Sequence, residues 1–454
     1  TRRDQSVRGL EASRIRLGVV QPGENIADFN DALNTLHGSL SYLYNNPNGS
    51  RYWYDTRPTL RKTAEDRASQ VMLADVDAEI ESRLKKVRKE NPFAGIHVCP
   101  NSSLDVTDDQ AVRLVILKTK DFYNLRAKTT TPAQEAVNDI FNNRGTSPRI
   151  YRNMLAFVAP DVNQLESLRL EVRRFIAWKS IMSDKDDLNL DGNQIRETQS
   201  NLTRSNDTVE LRLKEAYRWL MVPFIDQYGD MKQIQWEITD ISGGNESIVS
   251  KAARKMIQSE QVITNWAPAL LQMCLDDLLW KDANDISVKK LWEYLSTYCY
   301  LPRLANYAVL EDTICRGVNS DEFFALAAGY SNDRYVDLKF NTTVMGINLS
   351  DLLVKTGVAL KQLVTEKPKA TSTDIPFGQD SGNATADPMG AGNGGASASS
   401  TENNSGGVQP AASNKHFYMS AKLDNTRVNR DVQNYLQEII QHLTAVDGSH
   451  VELT

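Results

Sequence analysis

From Ile26 the apolar residues Ile26, Phe29, Leu33, Leu36, Leu40 and Leu43 return at alternating steps of three and four, the stripe of a helix with one core face. Just before it, RIRLGVVQP (14–22) lacks that period and reads as a buried strand. The helix stops at the turn-forming NNPNGS, and RYWYD (51–55) has the aromatic, β-prone character of a short strand. Tyr52, Trp53 and Tyr54 alternate across that strand, so Trp53 faces opposite to its neighbours. Pro58 then opens a long, heavily charged helical stretch that runs to about residue 90. Its apolar stripe is thin (Leu60, Ala64, Val71, Leu84, Val87) and places it across a domain surface.

Next, VRLVILK (112–118) is a buried strand, and TPAQEAVNDIFNNRG is a helix capped by Thr131 and closed by Gly145. RIYRNMLAFVAPD supplies a second strand, and Leu165, Leu168, Val172 and Phe175 mark one side of a helix from Val162 to Ser183. Strand, helix, strand, helix is the order of a small sheet covered by helices. Between 205 and 282 helices dominate, with QIQWEI as an interrupting strand. DISVKKLWEYLSTY, YAVLEDTICRG and FFALAAGYSNDRYVDLKF predict two helices and a hairpin turning at 331–333, the order of a winged helix. From 367 to about 414 the composition collapses to Gly, Ser, Ala, Asn, Thr and Pro, which reads as a flexible linker. Beyond it HFYMSAKLD reads as a strand, TRVNRDVQNYLQEIIQHLTAV as a helix, and another strand begins at His450. The expected fold is a helix-rich α+β or mixed α/β multidomain chain. Its units are 1–91, 92–204, 205–366, the linker 367–414 and an α/β segment 415–454.

The length of 454 residues supports several such units rather than one core. A formal net charge of -6 excludes non-specific coating of nucleic acid or membranes, so any nucleic-acid role must be local. Cys99, Cys274, Cys299 and Cys315 form no C-x-x-C and no disulfide framework, and no stretch approaches a bilayer span or a signal peptide. The expected setting is cytoplasmic. The opening TRRDQSVRG and the closing HVELT, a β-type alternation with no turn to finish it, read as the cut ends of a fragment.

Chemistry was sought by motif. No glycine is followed by lysine, so no phosphate-cradling P-loop is present. RLVILKTKD and MLAFVAPD look like strands delivering a metal-binding aspartate, but core strands explain them better. DLNLDGNQIRET (187–198) places Asp187, Asn189, Asp191 and Gly192 as a calcium loop would, yet its twelfth position is Thr198 rather than glutamate, which favours an ordinary turn. His37, His97, His416, His442 and His450 form no metal pair, and no G-x-S-x-G elbow or Cys/His motif occurs. No catalytic or metal-binding residue is therefore assigned. Basic residues gather at Arg2, Arg3, Arg8, Arg14 and Arg16, at Arg51, Arg57, Arg61, Lys62 and Arg67, and at Lys85, Lys86, Arg88 and Lys89. Arginine beside aromatics grips phosphates or stacks on bases, although interleaved acids also suit a solvated face.

Six phrases run in order across almost the whole chain: RGLEASRIRLGVVQPGE, LSYLYNNPNGSRYWYDTRPTLRKTAEDRA, PRIYRNMLAFVAPD, RRFIAWKSI, LWEYLSTYCYLPRL and KLDNTRVNRDVQNYLQEIIQHL. Together they resemble the C-terminal half of the large ATP-binding proteins of the domain-of-unknown-function four-nine-nine family. These are AAA+-like ATPases of prokaryotic anti-phage defence islands. The resemblance implies a P-loop in an N-terminal half, with ATP and Mg bound by the full-length protein. It implies that residues 1 to about 67 complete the ATPase module, with Arg8 and Arg14 near a nucleotide or a neighbouring subunit's phosphates. It also implies DNA methyltransferase-type defence partners and a homo-oligomer. Arg51 and Arg57 join Arg8 and Arg14 as expected phosphate contacts, because guanidinium groups bind phosphate oxygens in a bidentate way. The alternative is a non-enzymatic DNA-binding scaffold working through residues 268–345, with Lys289 and Lys290 opening its recognition helix. A metal-dependent nuclease would need convergent Asp, Glu and Lys that the sequence does not reveal.

Overall fold

The computed structural model describes residues 9–46, 48–225 and 233–366, and over them the chain is a mixed α+β protein with several small sheets. Arg8, the linker 367–414 and the segment 415–454 lie outside the described residues.

The N-terminal unit comprises strand β1 (Leu10–Glu11), helices α1 (Ala12–Val19) and α2 (Ile26–Ser39), and strands β2 (Leu43–Asn45) and β3 (Arg51–Tyr54). Its sheet is antiparallel in the order β1-β3-β2. The stretch 14–22, expected as a buried strand, is mostly α1, and none of that helix is buried. Its β-branched pair suggested a strand, but Val19 ends the helix and Val20 is the extended residue that leaves it. In α2, Asn25 caps the start and again no residue is buried. Leu17 is 85% exposed and Ile26 55%. In β3 the alternation holds: Tyr52 is buried edge-on to His37, while Trp53 stacks on Tyr44.

The charged stretch after Pro58 is two helices, α3 (Leu60–Gln70), capped by Thr59, and α4 (Leu73–Leu84). The surface placement expected for it fails at α4, where Val76, Ile80 and Leu84 are wholly buried. Those residues stand four apart, and one such row is enough to seat a helix whatever its other faces carry.

The central sheet has the order β10-β9-β8-β5-β4. Strands β4 (Gly95–Val98), β5 (Arg113–Ile116) and β8 (Leu155–Pro160) run parallel, and β9 (Tyr217–Phe224) and β10 (Gln235–Asp240) antiparallel. Between β5 and β8 lie α5 (Pro132–Asn142), with a Thr131/Gln134 capping box, and a short hairpin of β6 (Asn143–Arg144) and β7 (Ser147–Pro148). Gly145 sits in that hairpin with positive φ rather than at the helix end. Helices α6 (Val162–Ser183) and α7 (Gly192–Ala216) pack along each other. Strand β9 departs from the helix-dominated reading of 205–282. It is apolar on both faces, so it shows no period of two.

Side chains alternate between the sheet's two faces. Leu114, Ile116, Val158, Leu220 and Val222 join a core shared with α4, α6 and the helices beyond, while Val115, Phe157, Trp219 and Met221 pack beneath α5.

Helices α8 (Ile248–Gln258) and α9 (Pro268–Cys274) follow, the latter continuing as a π-helix over Leu275–Trp280. Then come β11 (Asp285–Ser287), α10 (Val288–Thr297), α11 (Tyr307–Val318), β12 (Phe324–Ala327), the hairpin β13 (Gly329–Ser331) and β14 (Arg334–Val336), β15 (Leu352–Lys355) and α12 (Thr356–Glu366). The antiparallel order is β11-β15-β12. The hairpin turns on Asn332 and Asp333, both at positive φ, the geometry of a two-residue turn. At Gly317 a side chain would strike the Phe324 ring, so glycine lets α11 lie close on β12.

One polar node joins the sheet to these helices. Arg303, 1% exposed, donates to the carbonyls of Asn153, Gln261 (2.7 Å) and Pro223 (2.8 Å), and to Asn153 Oδ1 (3.0 Å). The Asn153 amide donates to the carbonyls of Leu295 (2.8 Å) and Leu301 (3.2 Å). Removing the guanidinium strands several buried carbonyls, each costing about 1–3 kcal/mol. Arg303→Ala is expected to lower the unfolding free energy by about 3 kcal/mol or more, measured by urea denaturation. A loss under about 1 kcal/mol would strip the node of its structural role.

Candidate functional site

Arg51 opens β3, and its guanidinium donates to Glu11 Oε1 at 2.8 Å and to the Gly9 carbonyl at 3.1 Å. Arg16, on α1, donates to Asn30 Oδ1 of α2 at 3.0 Å. Between these elements lies a hollow of about 400 Å³, with Ser13, Arg16, Asn30, Asn34, Ser50 and Arg51 among its lining. Two guanidinium groups, two hydroxyls and two amides around one open space suit the oxygens of a phosphate or similar anion. The lining also includes the Glu11 carboxylate, which is paired with Arg51.

Of the four expected phosphate contacts, Arg51 alone among the described residues lines this hollow. Arg14 is exposed on α1, outside the lining. Arg57 is exposed on the way into α3 and donates to the Leu188 carbonyl at 3.4 Å, which ties it to the α6–α7 connection instead. Arg8 is not described. Asn30 and Asn34 were not foreseen, although their spacing of four on α2 was a usable sign that they share a face.

Lys289 and Lys290 are exposed in the first turn of α10, where Ser287 caps the Lys290 amide and the Lys290 ammonium lies 5.5 Å from the Tyr294 ring centre. The partially positive end of a helix disfavours further cations, so these lysines are available to an outside anion. The next helix, α11, turns Asp312 and Arg316 outward, and these two pair at 2.8 Å. Over residues 268–366 thirteen acidic residues face nine basic ones, so the lysines stand in a negative field.

Two of the aspartates that resembled metal ligands, Asp161 and Asp191, have other work. Asp161 Oδ1 caps α6 through the Asn163 and Gln164 amides, and Oδ2 accepts from Trp219 Nε1 at 3.0 Å. Asp191 caps α7, and Thr198 is buried within that helix, so 187–198 is a turn running into a helix. No group of three or more His, Cys, Asp or Glu able to hold a metal is found among the described residues. Burial pushes the Cys99 and Cys274 thiols up to about 12, which keeps both protonated at neutral pH. Among the described residues no helix is long and apolar enough to cross a membrane.

Comparison of the chain with protein-family models, with curated proteins and with solved structures returned no match.

Two histidines give the fold a pH signature. Burial first, then the charges of Arg113 and Arg149, hold the His97 pKa below its usual value, and burial with Arg61 does the same for His37. Each stays neutral when folded after the unfolded chain has taken a proton. The stability they contribute is therefore present above about pH 6.5 and lost as pH falls through the lowered folded values. Asp121 and Glu197, raised by burial, act in the opposite sense, so the test is differential. His97→Gln is expected to flatten the fall in urea midpoint between about pH 7 and pH 5 relative to the parent chain. Equal slopes would exclude His97 as a contributor.

Proposed function

We propose that this chain is the C-terminal regulatory and interaction portion of an AAA+-type ATP-binding protein of a prokaryotic phage-defence system. The observation that carries the reading is the unfinished N-terminal unit. A three-stranded sheet flanked by two helices that bury no residue has Leu17, Val19, Ile26 and Leu36 in the open, and among the described residues nothing covers that face. An ATPase core packed there covers it, and the neighbouring hollow then offers Arg16 and Arg51 to nucleotide phosphates. Arg8, Arg14 and Arg57 remain proposed phosphate contacts. The hollow's donors fit phosphate. They do not fit Mg, since its carboxylate, Glu11, is already paired with Arg51, so the metal belongs with residues of the core.

The chain alone is expected to show no ATP turnover. A longer product carrying a P-loop is expected to hydrolyse ATP, and Arg51→Ala in it to lower kcat/KM about tenfold or more. Turnover by the present chain, abolished by a point change within it, would overturn the reading.

A second reading is a DNA-binding scaffold. The strand order β11-β15-β12, with α10 and α11 between the first two strands in sequence, supports a winged-helix-like unit over 268–366. In such a unit the second helix enters the major groove, and the acidic face of α11 is poorly suited to that. Binding would fall to Lys289 and Lys290. Salt-sensitive binding to a duplex is expected to weaken several-fold in Lys289→Ala/Lys290→Ala, read by fluorescence anisotropy. Unchanged binding would eliminate these contacts.

A further inference from the structure

Where α3 packs on α6 the two helices leave a groove of about 440 Å³ open to solvent. Its α3 wall includes Arg61 and Ala68, and its α6 wall Leu170, Arg173, Arg174 and Trp178. On α6 these positions follow helical steps of three and four, so the groove runs along the helices as a trough rather than closing into a pit.

We infer that this groove receives an acidic amphipathic helix of a partner protein. The floor is apolar: Leu170 is 51% exposed, and Trp178 packs only partly into the small cluster of Leu60, Ala64 and Ile181. A trough between two packed helices is the shape into which a third helix lays its apolar ridge. The rim is basic. Three arginines stand against one lining carboxylate, Glu65, on a protein whose net charge is -6. Arg61 is the least satisfied of them. One guanidinium nitrogen pairs with Glu65 at 2.7 Å, while Nη2 is buried and has no hydrogen-bond partner. Arg173 donates to the Val71 carbonyl, and Arg174 pairs with Glu171. A carboxylate beside the apolar ridge of an incoming helix would meet the outer edges of Arg61 and Arg174. Glu65 and Glu171 on the same rim disfavour a phosphate backbone, whose charges are continuous.

The probe is a labelled helical peptide roughly 18 residues long, about five turns, with leucine at steps of three and four and glutamate elsewhere. A peptide of the same pattern with lysine for glutamate is the control. The full chain is expected to bind the acidic peptide and not the basic one. Leu170→Asp and the double variant Arg61→Ala/Arg174→Ala are each expected to weaken binding about tenfold or more. Lys361→Ala, on the exposed face of α12, is expected to leave binding unchanged. Circular dichroism and urea midpoints equal to the parent's establish that the variants are folded. No binding by the parent chain, or equal binding by the groove variants, overturns the inference. Self-association abolished by Leu170→Asp would give the groove to a second copy, and single-stranded DNA binding lost in the arginine variant would give it to nucleic acid. Either result also overturns it.

Discussion

The described structure turns on a buried guanidinium. Arg303 gathers carbonyls from three places that the chain visits far apart: the entry to β8 at Asn153, the end of β9 at Pro223, and the exit from α8 at Gln261. Burying that charge is costly, and only dense coordination by oxygen atoms offsets it. The requirement works in reverse as a positioning device. A node with this many short bonds has one satisfactory arrangement, so the central sheet and the helices after it meet at one angle. The apolar core around them, which runs from Val76 on α4 to Phe324 on β12, would tolerate sliding far better.

That division explains what was legible from sequence. Elements with one buried face announced themselves: α5 by its cap and stripe, α6 by Leu165, Leu168, Val172 and Phe175, and the β13–β14 hairpin by its turn residues. Burial on two faces was read correctly in β5 and β8 but not in β9. From Trp219 to Phe224 strand β9 is an unbroken apolar run, which has the same appearance in a helix as in a strand. Helix α4 was misjudged for the opposite reason, since its many charges hid Val76 and Ile80, which complete a row with Leu84. The helix α1 was missed because 14–22 was read whole as a buried strand, although only Val20 and the residues after it leave the helix.

The hollow beside β3 was half legible. Aromatic and basic crowding in RYWYDTRPTL drew the eye to Arg51, and Arg51 does reach it. The other donors come from α1 and α2, and only the packing of those helices on the β-sheet brings them near. Composition is blind to such convergence, because residues 16, 30 and 51 are unrelated by any period. Arg57 shows the converse. It sits six residues from Arg51 in sequence, but the chain turns at Pro58 and takes it to the Leu188 carbonyl instead.

Two of the phrases that carried the family resemblance contain residues that hold the described fold together. PRIYRNMLAFVAPD contains Arg149, which donates to the carbonyls of Ile140, Thr107, Ser103 and Val106, together with Asn153 of the central node and Asp161, the cap of α6. LWEYLSTYCYLPRL contains Leu295 and Leu301, whose carbonyls Asn153 engages, and Arg303 itself. Unusual polar residues inside apolar phrases are distinctive to the eye because burying them demands specific partners. They are poor guides to chemistry for the same reason: their hydrogen-bonding capacity is already spent on the fold. A guanidinium available to a ligand has to be sought where the partner list is short. In this chain that leads away from those two phrases, to the hollow at Arg16 and to the α3–α6 groove at Arg61, which lie in other phrases of the same resemblance.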